Sequence, residues 1–347
     1  MPSSTLAAWL HDLSPYIVQF GGGFGLRWYG TAYAGGFVAA WLLLRWLSRR
    51  GLTPLSDQRI TDAMFALCVG VVAGGRLGYV LFYEPSLLWT FSNSPPWWGL
   101  LQINKGGMAS HGGMMGVLIA CWYISRGPKA ADGTRPARVP MLHVMDLTAF
   151  AAPPGLFFGR LANFINGELL GRVVARPGED SPWWAVKFPQ EMFSAHAPTL
   201  TPEQSTRLER LLDAHRLGQE SDAAAYDRVL HALQSSSGTR ASEIARELAP
   251  LVSARHPSQL YQAAAEGLVL FACLLPLWFR IRRPGVITAV FLIVYGALRI
   301  VTEFYRLPDA HLAVQRLMGL SRGQWLSVTM ILAGVALLAF APRLKRA

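Results

Sequence analysis

Apolar residues along this chain gather into seven long runs, near 30–47, 62–83, 108–125, 143–164, 261–279, 286–304 and 325–341. Each is long enough, or nearly so, to cross a ~30 Å hydrocarbon core as a helix. The pattern predicts an all-α integral membrane protein with seven transmembrane helices. Basic residues fall in every second connection: Arg49, Arg50 and Arg59; Arg126, Lys129, Arg135 and Arg138; Arg280, Arg282 and Arg283; and Arg343, Lys345 and Arg346 in the tail. Basic loops stay on the cytoplasmic side during insertion, so the N-terminus is expected in the periplasm and the C-terminus in the cytoplasm. Trp89, Trp97, Trp98, Trp183 and Trp184 then all fall on the outer side, where an aromatic belt sits.

One connection departs from the rest in length, from Leu169 to Ser258. Within it, Thr201-Pro202-Glu203-Gln204 spells a helix start, with a capping box and proline at the first helical position. Leu208, Leu211 and Leu212 follow at helical spacing, and the charges of Glu203, Arg207, Glu209, Arg210, Asp213 and Arg216 suit a solvated face. The chain therefore reads as a single polytopic membrane domain over 1–347, carrying a periplasmic helical insertion at 199–250 between transmembrane helices 4 and 5, more peripheral than catalytic.

Composition narrows the functional classes. Hydrophobic residues make up 52% and charged residues 15% of the 347, with a net charge of +11. In a soluble protein that charge would point to nucleic acid; here its clustering in alternate loops favours anionic lipid instead, and no nucleic-acid partner is expected. Cys68, Cys121 and Cys273 sit inside apolar runs without paired spacing and read as small buried hydrophobes. There is no basic residue before Arg27, hence no basic start of a cleaved signal peptide. HExxH, Walker A and GxSxG patterns are absent, and no metal or other cofactor is expected.

The candidate chemistry lies in polar residues at the ends of apolar runs. Gly159–Arg172, reading GRLANFINGELLGR, carries two arginines, a glutamate and two asparagines at the end of the fourth run. On a continued helix, Arg160, Asn163 and Gly167 share a face, with Glu168 as a charge partner. A lone arginine here would snorkel to a lipid headgroup; a cluster needs more. By the predicted topology Tyr29, His111, Arg160, Asn163, Glu168, Arg299, Glu303 and Arg306 all reach the outer half of the bilayer. Arginines in that layer are costly without an anion, and a guanidinium is suited to phosphate. Arg299 could equally be a structural partner of Glu303, four residues on. His111 could be a base or a hydrogen-bonding residue, and Gly112 and Gly113 beside it allow a backbone or a substrate to approach.

GRLANFINGELLGR resembles the signature GRxGNFINGELxGR of the prolipoprotein diacylglyceryl transferases of bacterial inner membranes. Further segments similar to that family are RWYG from Arg27, GGRLGYVLFY from Gly74, SHGGMMG from Ser110, HPSQLYQ from His256 and YGALRIVTEFYR from Tyr295. The resemblance implies transfer of the diacylglyceryl group of phosphatidylglycerol to the lipobox cysteine of a prolipoprotein signal peptide, forming a thioether and releasing glycerol 1-phosphate. It also implies Arg160, Arg299 and His111 as catalytic residues, and Tyr29, Asn163, Glu168, Gly171, Tyr295, Glu303 and Arg306 as residues that bind substrate or shape the pocket. Ala162, Leu170 and Gln262 stand where the family commonly has Gly, Trp and Glu. A transporter or other phospholipid-binding protein with an anion-binding cavity is the alternative reading, although no internal repeat supports it.

Overall fold

A computed structural model describes residues 8–21, 24–93, 95–103, 106–129, 133, 137–235, 238–280, 283–307, 316–317 and 319–340. The basic tail, Arg135 and Arg282 lie outside the described residues. All seven apolar runs are helical. They correspond to α1 (Trp28–Arg49), α2 (Asp57–Phe82), α3 (Ser110–Arg126) and α4 (Met141–Ile165). The fifth run is the continuous segment Ser258–Arg280, and the last two are Val286–Glu303 and Arg322–Phe340. Among the described residues five helices are long and apolar enough to cross a membrane: α2, α4, Ser258–Arg280, Val286–Glu303 and Gly323–Phe340. The first and third runs differ. Trp28, Tyr29, Tyr33 and three glycines dilute the hydropathy of α1, and α3 has 17 residues.

The chain divides into two compact units. One comprises Phe37–Pro154, Phe271–Ile293 and Leu332–Ala347. Its centre is the pairing of α2 with α3, where backbones touch through small residues. A Cβ at Gly70 would meet Gly116 O at 2.6 Å, and one at Gly78 would meet Gly112 Cα at 2.7 Å. Arg76 of α2 is buried and gives its guanidinium to backbone carbonyls, Nε to Leu100 (2.8 Å), Nη1 to Gly106 (2.7 Å) and Gly107 (3.0 Å), and Nη2 to Gly99 (2.6 Å). Asp146, fully buried, accepts from Gly285 N, Thr288 N and Thr288 Oγ1 at 2.7 to 2.8 Å.

The other unit comprises Met1–Gly36, Gly155–Leu270 and Val294–Ile331. Its polar part holds a hairpin of β2 (Tyr16–Gly21) and β3 (Phe24–Arg27), preceded by β1 (Trp9–Leu10). A four-stranded sheet has the order β1-β5-β6-β4, with β4 Val173–Ala175, β5 Val186–Lys187 and β6 Ala254–Arg255. These short strands carry little hydrophobic alternation, which is why periodicity did not reveal them.

Between β5 and β6 come α5 (Pro202–Asp213), α6 (Asp222–Ser235) and α7 (Thr239–Leu248). The capping box is present: Thr201 Oγ1 accepts from Gln204 N, and Gln204 Oε1 accepts from Thr201 N. Leu211, Leu212, Tyr226, Val229, Leu233, Ile244 and Leu248 form one core with Met192, Leu251 and Val252. The three helices therefore share their core with the chain entering β6 rather than closing on themselves. Tyr226 also donates to Pro189 O at 2.7 Å.

After β6 the chain enters α8 (Ser258–Gln262), a π-helical segment Ala263–Val269 and α9 (Leu270–Arg280), then α10 (Val286–Glu303). Arg316–Leu317 (β7) pairs with Leu320–Ser321 (β8) ahead of α11 (Arg322–Phe340). Gly267 lets the π segment press on α4, since a Cβ there would lie 2.6 Å from Phe157 Cβ.

Candidate functional site

The signature stretch does not continue as one helix. α4 stops at Ile165, and a hydrogen-bond pattern of the Schellman type closes it: Gly167 N donates to Phe164 O (3.0 Å) and Glu168 N to Asn163 O (3.0 Å). Gly167 supplies the positive φ of 66° that this cap requires. Leu169 is the sole non-glycine described with positive φ, at 56°. The chain thus turns sharply between Asn166 and Leu170 and lays Gly171 against the backbone of His256, where a Cβ would collide with the His256 carbonyl. Gly171 also bridges to Arg306, flanked by Arg172 N to Tyr305 O and Leu307 N to Leu170 O, both 3.0 Å.

This turn places Glu168 away from Arg160. Glu168 instead accepts from Asn163 Nδ2 (3.3 Å) and Asn166 Nδ2 (3.1 Å), while Asn163 Nδ2 also reaches the Tyr29 hydroxyl (3.0 Å). Tyr29, Asn163 and Glu168 form one polar group. The expected partnership of Arg160 with Glu168 is therefore replaced, because the cap carries Glu168 off the helix.

The actual partner of Arg160 is Glu266 of the π segment. Arg160 Nε and Nη2 lie 3.0 and 2.9 Å from Glu266 Oε2, and Arg299 Nη1 lies 3.3 Å from Glu266 Oε1. Glu266 is fully buried and holds both guanidiniums on its two oxygens. Arg299 Nη2 additionally reaches Glu303 Oε2 at 3.3 Å, with Arg306 Nη1 3.8 Å from the same oxygen. The structural pairing of Arg299 with Glu303 weighed from the sequence is thus present, but it is the second of two carboxylates. Tyr295 hydrogen-bonds with Arg160. Sequence reasoning missed Glu266, although it is the one charged residue between Tyr261 and Phe279, an isolated acid in an apolar run.

Charge counting decides what the cluster can do. Arg160, Arg299 and Arg306 bring three positive charges against two negative from Glu266 and Glu303, leaving a net of one. The arrangement can admit one further anion. A cavity of about 190 Å³ lies beside it, lined by Arg172, Glu303, Arg306, Ser321 and Gln324 among others.

Comparison with known proteins decides the family. A family model described as prolipoprotein diacylglyceryl transferase matches residues 15–340. The chain belongs to the prolipoprotein diacylglyceryl transferase family. Proteins named phosphatidylglycerol–prolipoprotein diacylglyceryl transferase are similar to it over nearly their whole length. That of Bdellovibrio bacteriovorus is 41% identical over 95% of this chain and 93% of its own. Those of Rhodospirillum rubrum and Erythrobacter litoralis are each 37% identical, over 96% and 92% of this chain and 94% and 87% of their own. As in a multi-pass protein of the bacterial inner membrane, several helices are long and apolar enough to span a bilayer.

Within this family member, nine of the ten residues singled out from the sequence lie in one compact unit and His111 lies in the other. The His111 ring packs edge-on to Phe82 at 5.3 Å and tilted to Tyr83 at 5.8 Å. Gly112 beside it serves backbone approach, by the α2 glycines, while a Cβ at Gly113 would meet Val71 O at an ordinary 3.6 Å.

Arg255 is a second residue that sequence reading passed over. It is buried, donates Nε to Glu191, Nη1 to Gly171 O (3.0 Å) and Nη2 to His196 O (3.0 Å), and so anchors the signature turn to the sheet. Burial pushes the Glu191 carboxyl above the usual range, opposed by Arg255. His256 stacks on Trp184 at 5.1 Å, and burial together with Arg172 holds its imidazole below the ordinary value.

Proposed function

We propose that this protein transfers the diacylglyceryl group of phosphatidylglycerol to the lipobox cysteine of prolipoprotein signal peptides. The observation that carries the reading is the grouping of Arg160, Arg299 and Arg306 about two carboxylates, Glu266 shared by the first two and Glu303 by the last two, which leaves one positive charge in excess. Relatives over nearly the whole chain bear that activity in their names.

The thiol sulfur attacks the glyceryl carbon that bears the phosphate ester; the C–S bond forms as the C–O bond breaks, and the electron pair leaves on glycerol 1-phosphate. Arg160 and Arg299 bind this leaving group more strongly as its charge grows, which lowers the barrier. Tyr295 orients Arg160. Glu303 holds Arg299 from its other side and is itself flanked by Arg306, and Tyr29, Asn163, Glu168 and Gly171 fix the turn that carries the signature. His111 takes the thiol proton as general base.

The chain crosses the membrane seven times, with the N-terminus and the 199–250 insertion periplasmic and the site in the periplasmic half. Two features support this: all seven apolar runs are helical, and basic residues alternate between connections.

The test is incubation of purified protein with phosphatidylglycerol and a lipobox peptide, with mass analysis of the cysteine. A diacylglyceryl thioether and free glycerol phosphate are expected; lipid binding without either product refutes the reading. His111→Gln is expected to slow the reaction by about 100-fold. A variant that keeps the wild-type rate removes His111 from the chemistry.

A further inference from the structure

Gln259, Gln262 and Glu266 recur three and four residues apart, so they line one face of the segment that begins at Ser258. Both ends of this face are tied to the site described above. Gln259 Nε2 donates to Glu168 O at 2.5 Å, and Glu266 holds Arg160 and Arg299. Gln262 lies between them, and neither its Oε1 nor its Nε2 has a hydrogen-bond partner among the described residues. Gln259 Oε1 is likewise without one. Both glutamines are fully buried. A buried amide with no partner is costly to leave in a fold, and such groups mark places where something else binds. The face also passes into the π-helical Ala263–Val269, a local widening frequent at functional sites.

The unpaired atoms define their ligand. They are two acceptor oxygens and one amide nitrogen bearing two N–H donors. A phosphate at neutral pH offers chiefly acceptors and would satisfy the Nε2 alone; an ammonium offers donors and would leave Nε2 unpaired. A 1,2-diol has two O–H donors and lone pairs to accept, and it satisfies all three. We propose that the Gln259–Gln262 carboxamides bind the terminal diol of a polyol headgroup next to the phosphate, and so select glycerol over ethanolamine. This rests on the transferase reading above, and it assigns the headgroup end of the lipid to α8.

The experiment follows thermal unfolding and initial rates of the full chain in neutral detergent micelles, with phosphatidylglycerol, phosphatidic acid or phosphatidylethanolamine added. Wild type should be stabilised most by phosphatidylglycerol. Gln262→Met keeps the length and removes both orphaned atoms. Its lipid-free midpoint should rise by about 2 to 4 °C. Its extra stabilisation by phosphatidylglycerol over phosphatidic acid should vanish, and KM for phosphatidylglycerol should rise about 10-fold with little change in kcat. Gln262→Glu, which can still accept from both hydroxyls, should retain the preference for phosphatidylglycerol and guards against a folding defect peculiar to Met. A lipid-free midpoint that falls in Gln262→Met, with the phosphatidylglycerol preference intact, means a merely structural amide and overturns the proposal. No stabilisation of wild type by phosphatidylglycerol overturns the transferase reading and this assignment together, whereas equal preference in wild type and Gln262→Met overturns this assignment alone.

Discussion

Arg76 and the pair Arg160–Arg299 are all arginines in apolar helices, and their surroundings are opposite. Arg76 spends its N–H groups on four backbone carbonyls and is 5% exposed. Carbonyls are fixed by the chain and bear no full charge, so they solvate the guanidinium and cannot be exchanged for a substrate. Arg160 and Arg299 are held by a carboxylate they share, and their side chains are 16% and 13% exposed. With Glu303 and Arg306 beside them, three cations on two anions remain attractive to a further anion. The difference separates an arginine that builds from an arginine that binds, and it turns on the partner, since all three are well buried.

The sharpest way to break that distinction is to replace each arginine by lysine. Lysine keeps the charge and loses the planar fork. For Arg160→Lys and Arg299→Lys the two-point grip on phosphate goes, and the rate at saturating phosphatidylglycerol should fall about 100 to 1000-fold while insertion and unfolding stay near wild type. Arg76→Lys should do the reverse: its three donors leave carbonyls of the Gly99–Gly107 segment unpaired, so folded yield falls, and the surviving protein should turn over within about threefold of wild type. Initial rates normalised to folded protein decide. Near wild-type rates for both site variants would leave those arginines as ion-pair partners of the same kind as Arg76.

Glu266→Gln sharpens the comparison from the carboxylate side. It leaves the two guanidiniums more positive and untethered. Lipid should bind no more weakly, since the competing anion is gone, but its phosphate should be poorly aimed. The expected signature is kcat lowered about 10 to 100-fold with KM unchanged or reduced. A rise in KM with kcat intact would show that Glu266 contacts the lipid and is not the tether.

Much of the helical fold was legible in the sequence because hydrophobic length is a global signal that no single contact overrides. The seven apolar runs are helices within a few residues of where they were expected, and the capping box at Thr201 is formed. What was hidden is what depends on tertiary partners. Glu168 looked like the mate of Arg160 on a continuing helix, and the positive φ at Gly167 ends that helix first. Glu266 stood 106 positions from Arg160, so spacing could not pair them. The glycines of α2 and α3 carry a readable four-residue rhythm, at Gly70, Gly74 and Gly78 and at Gly112 and Gly116, whose meaning as helix contact emerges once the two are seen together. The insertion's mixed charges pointed to a solvated helix face; its core is shared with Met192, Leu251 and Val252, which polarity alone does not announce.

Glu303→Gln is the mildest of the site changes and tests whether distance orders the two carboxylates. Glu303 Oε2 is 3.3 Å from Arg299 and 3.8 Å from Arg306, while Oε1 accepts from Ser321 Oγ at 3.2 Å. A glutamine keeps an oxygen for Ser321 and turns its amide toward two guanidiniums that then have no acceptor there. Arg299 retains Glu266, so one of its two anchors survives, and Arg160 is untouched. The loss should therefore be smaller than for Glu266→Gln, about 10-fold in kcat/KM, a size typical of losing one charge-assisted contact with another remaining. It should fall partly on KM, because Arg306 and the cavity beside it also lose the neighbouring carboxylate charge. Measured over a full range of phosphatidylglycerol concentrations, a Glu303→Gln defect equal to that of Glu266→Gln would mean that Arg299 depends on both carboxylates alike. The shared buried carboxylate would then no longer be what distinguishes this pair from Arg76.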